Sequence, residues 1–488
     1  MRKFYLTSAI PYVNAKPHIG HALEFVQTDV ISRYYKSLGF EVKTLCGGDE
    51  NALKNVQAAE TAGIPVQKFV DENNQFFITL NKVLNVHYDI WQKGSDKIHH
   101  FPSSQKLWRF CLKNGDIYPK KYEGLYCVGC ETFYAKDELN EEGECEEHPG
   151  KKLEKVVEEN YFFKLKKYQE QIKNLIASNQ LEITPEFRRK EVLSFLSGPL
   201  HDISISRTNK RARNWGVPVP NDPKQRIYVW FDALNIYQSG IGFGWDEAEY
   251  NKWWPADLHV IGKGIIRFHA VYWIAFLISA GLKLPKKIFV HGYLTIEGQK
   301  MSKTLGNVVD PFKLVEKYGT DPVRYYLLRE IPSYNDGDFS ERRFIELYNS
   351  DLANELGNLV SRITQLAINN KFDIKRIKTD IVQKKRPSYI LSELQVFLDN
   401  FQFDKALEHI WGNIKTLNKY IDRERPWKKT VSEATKILSD IVIGTESIRA
   451  LDDITIALSV FLPDTAKKIE DHFLGKKQIT KPLFPRIK

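Results

Sequence analysis

The chain has 488 residues, of which 42% are hydrophobic and 27% charged, so its composition is globular and excludes disordered, collagen-like and fibrous proteins. Its formal net charge is +10, a basic excess that favours a polyanionic partner. Since a domain typically has roughly 100–200 residues, this length predicts about three domains.

Neither a membrane span nor an export signal is predicted. The longest apolar run, residues 270–282, is shorter than the ~20 residues that a spanning helix needs. Pro11 and Asn14 come too early for the apolar region of a signal peptide. Three of the five cysteines fall within residues 127–145, which favours a metal site in a reducing compartment over a disulfide framework. We therefore expect a cytoplasmic protein with no membrane partner.

The first fifty residues predict a strand, a helix and a second strand. Residues 4–8 form a short apolar run, apolar side chains recur at helical spacing over 19–38, and residues 41–46 are again strand-like. This order is typical of a βαβ unit, whose crossover is right-handed. The sequence thus predicts an α/β fold with a doubly wound, parallel, Rossmann-like sheet.

The predicted sheet is split by an insertion. Residues 111–214 are polar and charge-dense, and strands resume at 227–231, 258–261 and 288–290. From residue 341 the pattern is almost wholly helical. We expect residues 1–110 and 215–295 to be the two halves of one domain, 111–214 an insertion, 296–345 a loop region and 346–488 an all-α domain.

A pair of histidines stands where the first helix begins. His18 and His21 are three residues apart, with Gly20 between them. The free N–H groups and positive dipole end of a helix N-terminus favour a phosphate there, and imidazole donors can stabilise charge that develops on it. Two histidines that merely cap the helix are the structural alternative.

A second basic motif precedes the helical region. Residues 298–307 combine Lys300 and Lys303 with the Ser302 hydroxyl and flanking glycines. Such a composition predicts a mobile loop that closes on a polyphosphate. A solvated basic loop is the alternative.

Four soft ligands cluster inside the insertion. Cys127 and Cys130 form a C-x2-C pair, and Cys145 and His148 form a C-x2-H pair. This spacing predicts tetrahedral zinc, and protein ligands at all four positions indicate a structural rather than a catalytic ion. A reactive cysteine pair is the alternative, although a redox pair has no need of His148.

The two phosphate motifs together resemble those of class I aminoacyl-tRNA synthetases. That family has His-Ile-Gly-His after its first strand and Lys-Met-Ser-Lys-Ser after its last, and here only Thr304 departs from the second motif. Residues 9–14, 227–233, 261–263 and 291–294 are similar to methionyl-tRNA synthetases in particular, so the resemblance covers essentially the whole chain.

The resemblance implies an activity and a domain plan. The activity is ATP-dependent conversion of L-methionine to methionyl-adenylate with release of pyrophosphate, then transfer to the 3′-terminal adenosine of initiator and elongator tRNA(Met). Residues 111–214 would be a connective peptide with one structural Zn²⁺, 296–345 would contact the tRNA stem, and 346–488 would bind the anticodon. Mg²⁺ would accompany ATP.

The resemblance also implies site residues. The methionine pocket would comprise Ile10, Tyr12, Trp230, Ala233, Leu234, Tyr237 and His269, with Asp49 on the ammonium. ATP would contact His18, Gly20, His21, Lys300, Ser302 and Lys303. The catalytic residues would be His18, His21, Lys300, Lys303 and Arg207. Asn358, Arg362 and Trp427 would bind the anticodon. Aromatic walls suit a thioether, a carboxylate suits an ammonium, and stacking with amide or guanidinium donors suits unpaired bases.

Two positions depart from the family pattern. The family often has Asp-Glu-His-Gly where this chain has residues 49–52 with Asn51 and Ala52, and it usually has aspartate where this chain has Gly264. The second change removes a carboxylate near the expected ribose site. The family's dimerising oligonucleotide-binding module is not matched at the C-terminal end, so we expect a monomer.

Three other functions fit parts of the pattern. A class I synthetase for leucine, valine, isoleucine or cysteine is the nearest, but an insertion of about a hundred residues is too short for the editing domain of the aliphatic enzymes. A nucleotidylyltransferase would share the histidine motif and lack the helical domain. A zinc-bearing RNA-binding protein without catalysis would have no use for the lysine loop.

Overall fold

The computed structural model describes residues 2–127, 132–134, 139–145, 150, 152–301, 306–371, 388–445, 448–473, 479 and 481–488. The chain divides into two compact units. Unit 1 comprises Met1–Pro17, Leu38–Asn81 and His87–His291, and unit 2 comprises His18–Ser37, Lys82–Val86 and Gly292–Lys488. Across the described ranges, no helix has the length and apolarity needed to cross a membrane.

Sixteen strands occur in the described part of the chain. They are β1 Lys3–Ser8, β2 Glu41–Gly48, β3 Ile90–Lys93, β4 Ile117–Cys127, β5 Thr132–Tyr134, β6 Glu154–Phe163, β7 Glu182–Thr184, β8 Ile203–Ser204, β9 Ser206–Thr208, β10 Pro218–Val219, β11 Asp222–Ile227, β12 Leu258–Gly262, β13 Lys287–His291, β14 Leu294–Ile296, β15 Gln299–Lys300 and β16 Gly337–Phe339.

The α-helices of the described residues are α1 Ile19–Ser37, α2 Leu53–Ala62, α3 Val66–Val83, α4 His100–Lys113, α5 Gln169–Ala177, α6 Glu186–Phe195, α7 Asn209–Ala212, α8 Val229–Leu234, α9 Ile236–Ser239, α10 Glu247–Trp253, α11 Trp273–Ser279, α12 Pro311–Tyr318, α13 Thr320–Arg329, α14 Glu341–Leu347, α15 Asn358–Asn369, α16 Tyr389–Leu398, α17 Phe403–Glu424, α18 Val431–Ile443, α19 Leu451–Phe461 and α20 Pro463–Phe473. Two π-helical stretches, Phe268–Tyr272 and Tyr348–Gly357, and three 3₁₀ turns, Leu165–Tyr168, Lys263–Ile265 and Pro426–Lys428, complete the helical elements.

Unit 1 is built around a parallel sheet of six strands in the order β3-β2-β1-β12-β13-β7. The predicted βαβ unit is confirmed, because β1 and β2 pair in parallel and α1 connects them in the chain. β1 is buried along all but its first residue, as expected of a central parallel strand. Gly47 allows β2 and β3 to approach closely, since a Cβ there would lie 2.1 Å from the Gln92 carbonyl oxygen.

The region predicted as an insertion contributes both a separate sheet and one strand of the central sheet. β5, β4, β6 and β8 form an antiparallel sheet within residues 117–204. β7, however, pairs in parallel with β13 at the edge of the central sheet. Residues 111–214 are therefore not wholly separate from the sheet that they interrupt. A smaller sheet, β10-β11-β9, precedes α8.

Unit 2 is mainly helical, as the sequence predicts from residue 341 onward. α13 packs against α1, α17 and α19, and α19 also packs against α16, α18 and α20. The small sheet β15-β14-β16 belongs to the same unit. A buried ion pair joins two of the helices: the Arg324 guanidinium on α13 lies 2.8 Å from Oδ2 of Asp29 on α1.

Candidate active site

The strand order of the central sheet reverses between β1 and β12, which are adjacent although most of unit 1 separates them in the chain. In open α/β sheets, ligands bind beyond the carboxyl ends of the strands at such a reversal. Tyr12 follows β1, Asp49 follows β2 and His269 follows β12, and an isolated bridge pairs Tyr12 with Asp49. The topology therefore brings three predicted pocket residues to the same edge of the sheet.

Aromatic side chains form one wall at this edge. The Tyr12 and Trp230 rings meet edge to face with centroids 6.2 Å apart, and Trp230 stacks on Phe268 at 3.7 Å. Sequence reasoning missed Phe268 as a pocket residue, although it stands beside His269 in a stretch that matches the family. Ile10, which precedes Tyr12 in the chain, is half-buried.

A hydrogen-bonded pair forms a further part of the wall. The Tyr237 hydroxyl lies 2.8 Å from Nε2 of His269, and Nδ1 of His269 lies 2.9 Å from the Ile265 carbonyl oxygen. Because that carbonyl can only accept, Nδ1 carries the proton and Nε2 accepts from Tyr237. Burial lowers the pKa of His269 to about 4, so the ring is neutral near pH 7. This pair therefore adds no charge to the wall.

The helix α8 presents three predicted pocket residues, Trp230, Ala233 and Leu234, all of them buried. Spacings of three and four residues place them on one helix face. The predicted strand over 227–231 is wrong, since β11 ends at Ile227 and α8 begins at Val229. A short run of β-branched and aromatic residues does not distinguish a strand from a buried helix, which explains the error.

The segment that carries Asp49 is held rigidly. The Asp49 N–H donates to the Pro11 carbonyl at 2.9 Å, and the Asn55 amide donates to the Asp49 carbonyl at 2.7 Å. Next to it, Glu50 is fully buried and accepts from the Ser95 N–H at 2.6 Å. Burial raises the pKa of Glu50. Asp49 is itself 2% exposed.

In unit 2, His18 and His21 face each other with ring centroids 4.0 Å apart. The His18 N–H donates to Nδ1 of His21 and the Gly20 N–H donates to Nδ1 of His18, both at 3.1 Å. Each neutral ring therefore carries its proton on Nε2. Burial and then the neighbouring His18 lower the pKa of His21 well below its usual range. Gly20 allows this packing, because a Cβ there would lie 2.9 Å from the His18 ring.

The N–H groups at the start of α1 are engaged within the protein. Its first four N–H groups all have acceptors within the protein: the Val309 carbonyl for Ile19, His18 Nδ1 for Gly20, and the His18 carbonyl for His21 and Ala22. His18 thus caps the helix, as the structural alternative for the motif has it, and the phosphate role of the pair stays a prediction. The two Nε2–H groups remain the candidate donors to a phosphate.

The lysine motif is described only in part. The Lys300 backbone lies in β15, whereas Ser302, Lys303 and Thr304 lie outside the described residues. On one side of that gap, the Met301 methyl group is 3.5 Å from the position of a Cβ built on Gly20. On the other side, the Val309 carbonyl accepts from the Ile19 N–H at 3.2 Å. Both flanks of the gap therefore lie beside the start of α1.

Arg207 lies buried on β9 in unit 1. Its Nη1 donates to the Ser206 carbonyl at 2.7 Å and to Ser204 Oγ at 3.0 Å, and its guanidinium lies 4.4 Å from the Tyr228 ring centroid. It lines a cleft together with Asn51, Leu53, Tyr126, Arg211, Ala212, Trp215, Arg226, Ile227, Tyr228 and Val229. Three of these lining residues are arginines, and Arg211 among them is paired with Glu154 at 2.9 Å. Sequence reasoning missed Arg211 and Arg226, which belong to no motif.

Two of the four predicted zinc ligands are described. Cys127 at the end of β4 and Cys145 are buried, with their Sγ atoms 3.3 Å apart. Cys130 and His148 lie outside the described residues. No group of three or more potential ligands for a metal occurs among the residues that the structure describes. Folding nevertheless brings together two thiols that are 18 residues apart in the chain.

The predicted anticodon residues lie in unit 2. Asn358 and Arg362 are one turn apart on α15, as predicted. The Arg362 guanidinium is 5.8 Å from the Trp427 ring centroid and also binds Asp422 at 2.5 Å. Trp427 is 54% exposed, so its ring is available for stacking. Asn358 lines a groove with Pro482, Phe484, Pro485 and Arg486, a contact that the sequence did not predict.

The fold of unit 1 and the paired histidines define a class I aminoacyl-tRNA synthetase. The family model described as tRNA synthetases class I (M) matches residues 4–364. The methionine–tRNA ligase of Thermotoga maritima is 41% identical over 476 residues, covering 96% of this chain and 74% of its own length. That of Mycobacterium tuberculosis strain H37Rv is 40% identical over 483 residues, covering 96% and 92%.

Solved structures agree with the sequence relatives. A structure of Mycobacterium tuberculosis methionyl-tRNA synthetase in complex with methionyl-adenylate has a TM-score of 0.89 and 36% identity, and the match covers all of both chains. The free form of that protein has a TM-score of 0.81 and 33% identity. The chain belongs to the methionyl-tRNA synthetase family.

Proposed function

We propose that this chain catalyses the ATP-dependent attachment of methionine to tRNA, as a methionine–tRNA ligase. The observation that carries the proposal is the aromatic wall of Tyr12, Trp230, Tyr237 and His269 at the sheet edge that also holds Asp49. Methionyl-adenylate bound by a relative of 36% identity is the expected intermediate. The family's substrates are methionine, ATP and tRNA.

Methionine binding follows from the chemistry of that wall. A thioether is apolar, flexible and polarisable, and sulfur makes favourable contacts with aromatic rings. Ile10, Ala233 and Leu234 add aliphatic surface, while the neutral His269 and the engaged Tyr237 hydroxyl leave no charge beside the sulfur. Asp49 provides the carboxylate for the substrate ammonium. We assign these residues to the methionine pocket.

The first chemical step is adenylation. The methionine carboxylate attacks the α-phosphorus of ATP, which enters as its Mg²⁺ complex, and pyrophosphate leaves with the electron pair of the broken P–O bond. A carboxylate is ionised at pH 7, so the step needs no general base, and catalysis is positioning and charge stabilisation. His18 and His21 donate through Nε2–H to phosphate oxygens, and Gly20 lets their rings pack closely. Lys300, Ser302 and Lys303 bind the departing pyrophosphate.

The second step transfers methionine to tRNA. A terminal adenosine hydroxyl, the 2′-hydroxyl by family resemblance, attacks the adenylate carbonyl, and AMP leaves. We assign Arg207 and the cleft that it lines to this chemistry, because guanidinium groups suit an anion. Asn358, Arg362 and Trp427 bind the anticodon by hydrogen bonding and stacking.

We further assign a structural zinc ion to the connective peptide within residues 111–214. Two thiols 3.3 Å apart, with Cys130 and His148 at C-x2-C and C-x2-H spacing, fit a tetrahedral donor set. Cys127, Cys130, Cys145 and His148 would hold the ion, which would cross-link a segment that has few apolar residues. Residues 296–345 would contact the tRNA stem, and 346–488 would form the anticodon-binding domain.

Methionine-dependent exchange of radiolabelled pyrophosphate into ATP tests the proposed function, because it needs only the first step and no tRNA. We expect exchange with methionine and at least 100-fold less with leucine, valine, isoleucine or cysteine. Exchange with one of those amino acids in preference to methionine would refute the specificity. Absence of exchange with any amino acid would refute the activity.

A further inference from the structure

One buried carboxylate lies behind the methionine pocket and belongs to none of the sets assigned above. Asp232 on α8 is 1% exposed. Its Oδ2 accepts from the Asn51 amide at 2.6 Å, and its Oδ1 accepts from the Ser104 hydroxyl at 2.7 Å and from His100 Nε2 at 2.9 Å. A buried carboxylate with three donors is held in a single orientation.

The partners of Asp232 belong to the segments that carry the pocket. Asn51 is two residues from Asp49, and Asp232 lies on the same short helix as Trp230. His100 continues the network through Nδ1, which lies 2.8 Å from the Ser239 hydroxyl on α9, the helix that carries Tyr237. One carboxylate therefore connects the segment of the proposed ammonium ligand with both helices of the aromatic wall.

The Asn51 amide has only one possible orientation. Its Nδ2 donates to the Gly94 carbonyl at 2.7 Å as well as to Asp232, and both of these partners can only accept. The Gly94 N–H in turn donates to the Gly48 carbonyl at 3.1 Å. Asn51 thereby joins the ends of β2 and β3 to α8, and this connection spans 181 residues of sequence between Asn51 and Asp232.

We propose that Asp232, acting through Asn51, is a positioning residue that sets the placement of Asp49 for the substrate ammonium. The proposal rests on the proposed function, which assigns Asp49 to that ammonium. Loss of either partner frees the segment after β2 to shift, and a displacement of about 1 Å is enough to weaken a directional ion pair strongly. The effect falls on methionine binding and leaves the phosphate chemistry of His18 and His21 in place.

The test uses Asn51→Ala, Asp232→Asn and the double variant of the full chain in the pyrophosphate exchange assay. We expect each single variant to raise the KM for methionine about tenfold, because each loses one hydrogen bond to a charged group. The KM for ATP should stay within twofold. Because the two residues act through one bond, the double variant should resemble a single one instead of showing the product of both effects.

A competitive inhibitor that lacks the amine separates positioning from general damage to the pocket. The desamino analogue, 4-(methylsulfanyl)butanoic acid, offers the thioether and carboxylate without an ammonium. We expect Asn51→Ala to leave its inhibition constant within twofold while the KM for methionine rises. An equal weakening of both would mean that the variant disrupts the pocket as a whole, and the proposal would fall.

Asp116 supplies a matched control. It is also fully buried in unit 1 and accepts from Lys167 at 2.7 Å, Asn114 at 2.6 Å and Ser279 at 2.8 Å, and none of these three partners is a proposed pocket residue. Asp116→Asn should lower stability without raising the KM for methionine.

The wild-type enzyme separates failure of the proposed function from failure of the positioning role. If it shows no methionine-dependent exchange, the proposed function fails. If wild-type enzyme is active and both single variants have its KM for methionine, the positioning role alone fails.

Discussion

His18 donates its backbone N–H to Nδ1 of His21, and the two rings lie 4.0 Å apart at the start of α1. Since the low pKa of His21 keeps its ring neutral near pH 7, the proton on Nε2 is what the side chain can offer to a phosphate. Two cations at this distance would repel each other, whereas two neutral donors do not. The geometry therefore favours hydrogen bonding over charge as the contribution of these histidines.

Substitution of His21 tests this contribution. His21→Ala should lower the kcat of pyrophosphate exchange about 100- to 1,000-fold, the usual effect of removing one donor to a developing charge. His21→Gln, whose amide N–H reaches near the position of Nε2, should retain more activity than alanine. The KM for methionine should change less than twofold in both. A rise in that KM with unchanged kcat would contradict the assignment to the phosphates.

The buried His269 in the wall of the proposed methionine pocket makes stability depend on pH. His269 has a pKa of about 4 in the folded chain because it is buried, against about 6.5 in an unfolded chain. Between these values the unfolded state binds the proton first, so stability falls as the pH falls from about 6.5 to about 4. At about 1.4 kcal/mol per pKa unit, the loss through this group at pH 5 is about 2 kcal/mol.

Urea unfolding at pH 7 and pH 5 measures this loss. Between pH 7 and pH 5, the free energy of unfolding should fall about 2 kcal/mol less in His269→Gln than in the wild type. The variant should nevertheless have a lower free energy of unfolding than the wild type at pH 7. Comparing the two changes cancels the contribution of titrating groups that do not interact with His269. Equal changes in the two proteins would show that His269 is not the group responsible.

Zinc content can be measured directly by mass spectrometry of the purified chain. We expect about one zinc per chain in the wild type and its loss in Cys127→Ser and Cys145→Ser, since each removes one of four ligands. Cys111→Ser is the control. Cys111 lies buried on α4 with its Sγ 3.6 Å from the Phe276 carbonyl oxygen, and it belongs to neither the C-x2-C nor the C-x2-H pair. Zinc retained after loss of either Cys127 or Cys145 would refute the site.

The sequence predicted the parts of the fold and site that depend on residues close together in the chain, and it missed those that depend on distant residues. β1, α1 and β2 follow one another in the chain, so their patterns predicted them correctly. β7 has three residues and pairs with β13 about a hundred residues later, a contact that leaves no local pattern. The motif residues were predicted because they lie next to one another in the sequence. The hydrogen bond from Asn51 to Asp232 joins residues far apart in the chain, so it is visible only in the folded structure.

The ion pair between Asp29 and Arg324 is expected to carry much of the stability of unit 2. Arg324 is fully buried, and its guanidinium also donates to the Phe461 and Leu84 carbonyls at 2.8 and 3.1 Å. Arg324→Met would leave Asp29 buried with a weaker partner. It should lower the free energy of unfolding, measured in urea, by about 3–5 kcal/mol.

Arg33→Met is the control. Arg33 also binds Asp29, at 2.6 Å, but it is more exposed, so its substitution should cost at most about 1 kcal/mol. Equal losses in the two variants would contradict the buried pair as the dominant interaction.

Anticodon binding should depend on the exposed ring of Trp427 and on the guanidinium of Arg362 beside it. Trp427→Ala should lower kcat/KM for aminoacylation of tRNA about 10- to 100-fold, because loss of stacking on one base costs ~1–3 kcal/mol. Pyrophosphate exchange should be unchanged, since it does not involve tRNA.

Tyr389 is a matched control for Trp427. It is 55% exposed in the same unit, and the Arg449 guanidinium lies 5.3 Å from its ring centroid, much as Arg362 lies against Trp427. Tyr389→Ala should charge tRNA at the wild-type rate. If both variants lose aminoacylation equally, any exposed aromatic residue of this unit would account for the effect, and Trp427 would have no special role in reading the anticodon.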